Sequence, residues 1–271
     1  MEVNLSMGKE LKINLEQNTG TVIYFVEGGS TEFTLLKTVF GKILHYDYVE
    51  KKRGKPAKFI NNRCVHSRVY VINTSESNIS DISDVDYLDK VYEYLINEYG
   101  LDLDNAAKFY LFDRDNQSNT DTRLISKYLN ILSEPYGDDT EFEKGGLLLL
   151  SYPAIESFVL SNFLEDTNQL MFKLGSDVKT FMGLEQNQRI VQFNKINSDT
   201  LTFATNEFFK YIEFIESNLD LDNIAELNKK IFEMEEADFA QSEMYRAVSG
   251  VVLSLLYLGI IRVIEMVLEY K

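Results

Sequence analysis

Four short apolar runs, each followed by a helix-like segment, set the frame for what this chain can become. Thr21–Val26 (TVIYFV) is unbroken, β-branched and aromatic, the composition of a strand covered on both faces. Gly28 and Gly29 interrupt it. Phe33, Leu36, Val39, Phe40 and Ile43 then recur at three- and four-residue steps, the spacing of one helix face. Arg68–Asn73 (RVYVIN) predicts a second strand and Val85–Tyr99 a second helix, stopped at Gly100. Lys108–Phe112 (KFYLF) and Thr122–Leu132 repeat the unit, and that helix ends before Pro135. Leu147–Leu150 gives the fourth strand, with Pro153 placed to open the next helix. Alternation of this kind implies an α/β fold, Rossmann-like, with a mostly parallel sheet covered by helices.

After about Leu164 the strand signals fade. Asn206–Leu219, Asp222–Phe239 and Gln241–Tyr270 each read as helices, the last apolar almost all round between Val248 and Val267. Such a helix must be buried, within the chain or against a partner, and burial within the chain is the simpler outcome. The expected organisation is an α/β domain over residues 17–165 and an α-helical region over 166–271, suited to partner binding or oligomerisation.

Composition removes several classes. The single Cys64 excludes a disulfide framework and multi-cysteine metal sites, and two histidines, His45 and His66, argue against a His-rich centre. The longest uncharged run, Ala247–Ile261, is shorter than the roughly 20 residues of a membrane span. Met1–Asn14 lacks the apolar core of a signal peptide. A soluble cytoplasmic protein is expected, with no membrane partner. The 27 Lys+Arg against 43 Asp+Glu leave a net charge of −16, unlike a protein that coats nucleic acid by neutralising phosphates. No G-x-x-x-x-G-K-[ST] run is present, so ATP hydrolysis by a P-loop is not expected.

Open α/β sheets bind ligands beyond the carboxyl ends of their strands, and acidic residues fall there. Glu27 follows the first strand and precedes two glycines, while Asp113 and Asp115 close the third as FDRD. In extended backbone, positions i and i+2 share a side, so the two aspartates can face one ligand. Adjacent strands lie ~4.8 Å apart, which lets Glu27 join them. Crowded carboxylates repel, and a hard divalent cation relieves that while leaving room for phosphate oxygens. Mg²⁺ is the expected cofactor, with Mn²⁺ as a substitute. Taken singly, each acid could equally start a turn or cap a helix.

Lys51–Arg68 concentrates positive charge: Lys51, Lys52, Arg53, Lys55, Lys58, Arg63 and Arg68, with no acid among them. They could follow a nucleic-acid backbone, with Phe59 stacking on a base; a solvated hairpin or loop is the structural alternative.

At Glu27 and the Asp113-x-Asp115 pair the chain resembles the TOPRIM domain of topoisomerases, bacterial primases, small ribonucleases and OLD-family nucleases. The segment VEGGSTEFTLL further resembles the E-G-x-x-T-E signature of RloB-type phage-defence proteins, and SYPAIESFVL their Pro-x-x-Glu motif. The resemblance spans roughly residues 20–165. It implies a Rossmann-like sheet, Mg²⁺ on Glu27, Asp113 and Asp115, and phosphodiester chemistry. It also makes Glu32 and Glu156 further metal or substrate groups, although both fall in first helical turns, where an acid meets the helix dipole favourably. The function so implied is that of a Mg²⁺-dependent endonuclease acting on DNA or RNA in anti-phage defence, working with an ABC-type or OLD-type ATPase and forming homo-oligomers. Two alternatives are a non-catalytic TOPRIM-like interaction module working with such an ATPase, and a primase-like polymerase. Glu27 could serve as general base or as metal ligand.

Overall fold

The computed structural model describes residues 9–28, 30–50, 56–74, 85–115, 117, 119–133, 145–215, 221 and 223–265. In chain order the elements begin with β1 (Lys9–Ile13), β2 (Thr21–Val26) and α1 (Thr31–Leu36), which Lys37–Ile43 continue in π-helical geometry. β3 (Tyr46–Glu50), β4 (Ala57–Asn61), β5 (Arg68–Asn73), α2 (Val85–Tyr99), β6 (Ala107–Asp113), α3 (Thr122–Ser133) and β7 (Leu147–Tyr152) follow. The second half holds α4 (Glu156–Ser161), β8 (Met171–Phe172), α5 (Gly175–Met182), α6 (Ser198–Ile215), α7 (Ile224–Ser242), β9 (Tyr245–Arg246), β10 (Val248–Ser249), α8 (Val251–Tyr257) and β11 (Ile261–Glu265).

Seven strands form the central sheet in the order β10-β7-β6-β2-β5-β4-β3. The four middle strands, β7, β6, β2 and β5, run parallel, as the apolar runs predict. β2 and β6 are buried along almost their whole length and β7 along all of it, the mark of strands with helices on both faces. The chain passes from β2 to β5 on one side and then crosses to β6 on the other, so the strand order reverses between β2 and β6. That switch opens a crevice at their carboxyl ends.

Three features depart from the sequence expectation. Tyr46–Glu50 and Ala57–Asn61 supply β3 and β4, an antiparallel pair that extends the sheet beyond β5 and makes it mixed. The apolar segment near the C-terminus is not one helix. Val248–Ser249 pairs antiparallel with Ser151–Tyr152, Val251–Tyr257 is a short helix, and Ile261–Glu265 pairs with β1. Its β-branched residues fit extended backbone, and Gly250 permits close approach to β7: a Cβ there would stand 3.1 Å from Leu149 Cβ and 3.2 Å from Leu150 O. Gly259, at φ 66°, ends α8. Pro153 follows a cis peptide bond and sits ahead of α4 rather than opening it.

The helical region expected over 166–271 therefore also contains strands, and its apolar side chains lie in the same core as those of residues 17–165. That core runs from Val22 to Ile261 without a break. Tyr24 donates to Ser254 Oγ at 2.9 Å, and Ser151 and Ser249 share a hydrogen bond of 2.7 Å, both buried. Among the described residues Val251–Leu255 is buried within the chain, while Tyr257 at the end of α8 is exposed. Among the described residues no helix is long and apolar enough to cross a membrane.

A chain truncated after residue 165 should lose its cooperative thermal transition, because the β7 edge and one sheet face lose their cover. Leu253→Ala, at a fully buried position, should cost about 2–5 kcal/mol in urea unfolding.

Candidate active site

Glu27 stands one residue beyond β2, Asp113 ends β6, and Asp115 follows two residues later. β2 and β6 are hydrogen-bonded neighbours, and the Glu27 N–H continues their ladder to Leu111 O. Glu27 Oε2 accepts the Asp113 N–H at 2.8 Å, and Asp113 Oδ1 accepts the Ile155 N–H at 2.7 Å. Each strand end thus holds a carboxylate through the backbone of the next, across β2, β6 and the turn after β7.

Asp115 partly fulfils the structural alternative, since its Oδ1 accepts the Gln117 N–H at 2.9 Å and starts a turn. It does not cap α3. Asp121 does so, accepting from Arg123 and Leu124 N–H at 3.0 Å each.

Glu32, on α1, and Glu156, the first residue of α4, are both buried and complete the group. Gly28 makes the approach of Glu32 possible: a Cβ there would lie 3.0 Å from Glu32 Oε2. Gly175 does the same on the other side, where a Cβ would stand 2.9 Å from Ala154 Cβ and 3.5 Å from Asp115 Oδ2. Glu156 Oε1 lies 3.5 Å from Lys179 Nζ, while Glu156 Oε2 is buried without a hydrogen-bond partner.

Protonation equilibria record the crowding. Burial, with the Glu32 and Asp115 charges added, lifts Glu27 from an ordinary 4.5 to about 7 against the opposing Asp113 N–H. Asp113 is raised well above its usual range by burial and by Glu27, Glu32 and Glu156. Glu32 is raised by burial and by Glu156, while backbone N–H groups and Lys179 pull it down. Five acids from separate segments therefore lie within electrostatic reach as one set. Their oxygen donors fit a hard divalent cation, and the unpartnered Glu156 oxygen marks where charge compensation is missing. Among the described residues no three of them already surround one point at ligand distance, so the donor set is present but no closed cage is formed.

The basic segment is distributed differently from the expectation. Lys51, Lys52, Arg53 and Lys55 lie outside the described residues. Lys58 projects over the Tyr70 ring, 5.5 Å from its centroid. Arg63 pairs with Glu16 at 2.8 Å, and Arg68 Nε donates to Val65 O at 2.9 Å. Arg68 is in register with Thr21, at the amino end of β2, roughly 16 Å of strand from Val26. Arg63 and Arg68 thus sit at the edge opposite the carboxylates, because the hairpin turns the chain back before β5 begins. Phe59 is fully buried against Phe33 and Tyr48 and cannot stack on a base. A cavity of about 320 Å³, lined in part by Lys108, Asn223 and Tyr257, also opens at the amino edge and shares no residue with the acidic set.

Sequence reasoning missed Lys179, Gly175 and the supports of Arg114. Lys179 and Gly175 carry no local signal, since only the tertiary fold brings α5 beside the strand ends. Arg114 stood in plain view inside FDRD, but its carboxylate partner, Glu236, lies in a helix more than a hundred residues away.

No protein-family model, curated protein or solved structure matches the chain.

Raised carboxylate pKa values have a stability consequence of known sign. The folded state holds the Glu27 proton more tightly than the unfolded chain does. That contribution is complete below pH about 4.5 and is lost as pH rises through about 7. In EDTA, Glu27→Gln should stabilise the protein by about 1–3 kcal/mol at pH 8 and by little at pH 5, measured by urea unfolding. Buried Glu235, also lifted to about 7, contributes the same trend to both proteins and cancels in the comparison. An equal effect of the substitution at both pH values would contradict the assignment.

Proposed function

We propose that the chain is a divalent-cation-dependent phosphodiesterase acting on nucleic acid, a nuclease whose reaction takes place at Glu27, Asp113 and Asp115. One observation carries the reading: five carboxylates from four segments converge, largely buried, at the topological switch of a parallel sheet, with one buried oxygen unpartnered. A purely structural role does not explain the expense of placing them there, since buried like charges destabilise the fold. Asp113, Asp115 and Glu27 would hold the cation, with Glu156 and Glu32 beside them. Bound there, Mg²⁺ or Mn²⁺ would polarise a phosphate oxygen and acidify a water.

The chain's own residues supply the rest. Glu27, with a pKa near neutrality, can accept a proton from attacking water and release it again at physiological pH. The Asp113 and Ile155 N–H groups fix one oxygen of Glu27 and of Asp113, which orients the remaining lone pairs outward. Lys179, whose side chain is 61% exposed, offers a cation beside the set that a phosphate can reach. Resemblance to RloB-type and OLD-type proteins supports the same chemistry and adds an anti-phage setting with an ATPase partner.

Purified protein should cut DNA or structured RNA in Mg²⁺ or Mn²⁺ and not in EDTA. Glu27→Gln and Asp113→Asn should each reduce cleavage by roughly 10²-fold or more at unchanged fold, read on gels with circular dichroism as control. Undiminished cleavage by both variants would overturn the assignment.

A further inference from the structure

Between the two aspartates, Arg114 points away from them and is only 1% exposed. Alternation along extended backbone dictates this: if Asp113 and Asp115 face the acidic set, the residue between them faces the opposite side. There Glu236 of α7 receives it in a fork, Nε to Oε1 at 2.8 Å and Nη2 to Oε2 at 3.0 Å. Nη2 also reaches Thr122 Oγ1 at 3.2 Å, and Nη1 donates to Asn119 O. The guanidinium lies over the Tyr245 ring, 5.5 Å from its centroid.

These contacts form a closed circuit around the aspartate loop. Asn119 Nδ2 donates to Asp113 O at 2.7 Å, and the Asn119 N–H bonds Asp115 O at 2.9 Å. Thr122 Oγ1 donates to Glu236 Oε2 at 3.2 Å and opens α3. The backbone of both aspartates is therefore tied, through Asn119 and Arg114, to a carboxylate on a helix of the second half of the chain. An ordinary surface ion pair would not do this, since its geometry is loose and its contribution small.

We propose that Arg114 is a positioning residue: clamped by Glu236, it fixes the spacing of the Asp113 and Asp115 carboxylates, so that cation affinity depends on where α7 sits. The proposal rests on the nuclease reading above and adds a specific dependence to it. Because both aspartates are held through their backbones, a change at Glu236 reaches them without touching any side chain of the acidic set.

The test reads cation binding apart from stability. Removing Arg114 alone would leave the largely covered Glu236 carboxylate without its cation and risks unfolding, whereas replacing both partners by apolar side chains of similar volume is tolerated in other buried pairs. The double variant R114M/E236M is therefore compared with wild type and with D113N, with Mn²⁺ alone as probe, followed by electron paramagnetic resonance and thermal unfolding. Wild type should bind Mn²⁺ and D113N should lose it. The double variant should bind at least roughly tenfold more weakly while its melting temperature stays within a few degrees, and R114K should fall between, because it keeps the charge without the fork. Wild-type Mn²⁺ affinity in a folded double variant, with D113N still defective, overturns the positioning role and leaves the site intact. Absence of Mn²⁺ binding in wild type overturns the site and the positioning role together. Should the double variant fail to fold, E236Q takes its place: it keeps the shape of the acceptor, removes its charge, and must show the same weakened binding for the proposal to stand.

Discussion

A carboxylate withdrawn from water keeps its charge only where hydrogen bonds or opposite charge replace the lost hydration. At the carboxyl ends of β2, β6 and β7 the chain brings several such groups together with only partial replacement. Backbone N–H groups hold one oxygen of Glu27 and one of Asp113, and a single lysine stands 3.5 Å from Glu156. The deficit appears as carboxyl pKa values raised by burial and mutual repulsion at Glu27, Asp113 and Glu32. The surrounding structure exists under that load, and much of the packing is arranged to bear it. Strands buried on both faces make a rigid platform, and glycines at 28 and 175 let side chains approach that a Cβ would push apart.

The second half of the chain belongs to the same platform. β10 closes the open edge of β7, Ser254 bonds Tyr24 on the central strand, and Glu236 reaches the loop between the aspartates. Residues remote in sequence thus set the geometry of a candidate site whose acids all lie between Glu27 and Glu156. Glu235 and Glu236 divide the labour on one helix. Glu236 holds Arg114, while Glu235 accepts from the Tyr211 hydroxyl at 2.6 Å and from the Arg246 N–H at 2.9 Å, which fixes α7 against α6 and β9.

How much of this could be read from residues alone follows from which interactions are local. Thr21–Val26, Arg68–Asn73, KFYLF and Leu147–Leu150 announce themselves because a strand buried on both faces must be apolar throughout, and all four form the parallel centre. Glu27, Asp113 and Asp115 were legible for the same reason, since each interrupts or ends such a run at the edge where ligands bind. The segment from Ala247 to Ile261 was not. Apolar on every side, it satisfies a buried helix and a buried strand equally, and only the empty edge of β7 decides between them. The basic run is legible only in part. Its charges cluster in sequence, but the turn between β4 and β5 carries Arg63 and Arg68 to the far edge of the sheet, while Lys51, Lys52, Arg53 and Lys55 lie outside the described residues. Charge spacing along a chain translates into a surface patch only if no turn intervenes.

Protons and cations compete for the same oxygens, and this competition connects the fold's acidity to its proposed chemistry. When a divalent ion is scarce, Glu27 and Asp113 are stabilised by protonation, and a protonated acid can neither accept a proton from water nor hold a metal. As pH rises through about 7, Glu27 loses its proton, repulsion grows, and the free energy to be gained by binding a divalent ion grows with it. The net charge of −16 acts in the same direction, drawing cations toward the molecule while holding polyanions off. On the proposed function, a nucleic acid approaching the bare cluster would meet like charge, and one approaching a cation-loaded cluster would meet a centre partly neutralised, with Lys179 beside it. Affinity for the proposed metal and affinity for the proposed substrate would then be linked, each raising the other. An acidic protein of this construction can bind nucleic acid weakly when empty and selectively when loaded, without the basic surface that ordinary nucleic-acid binding requires.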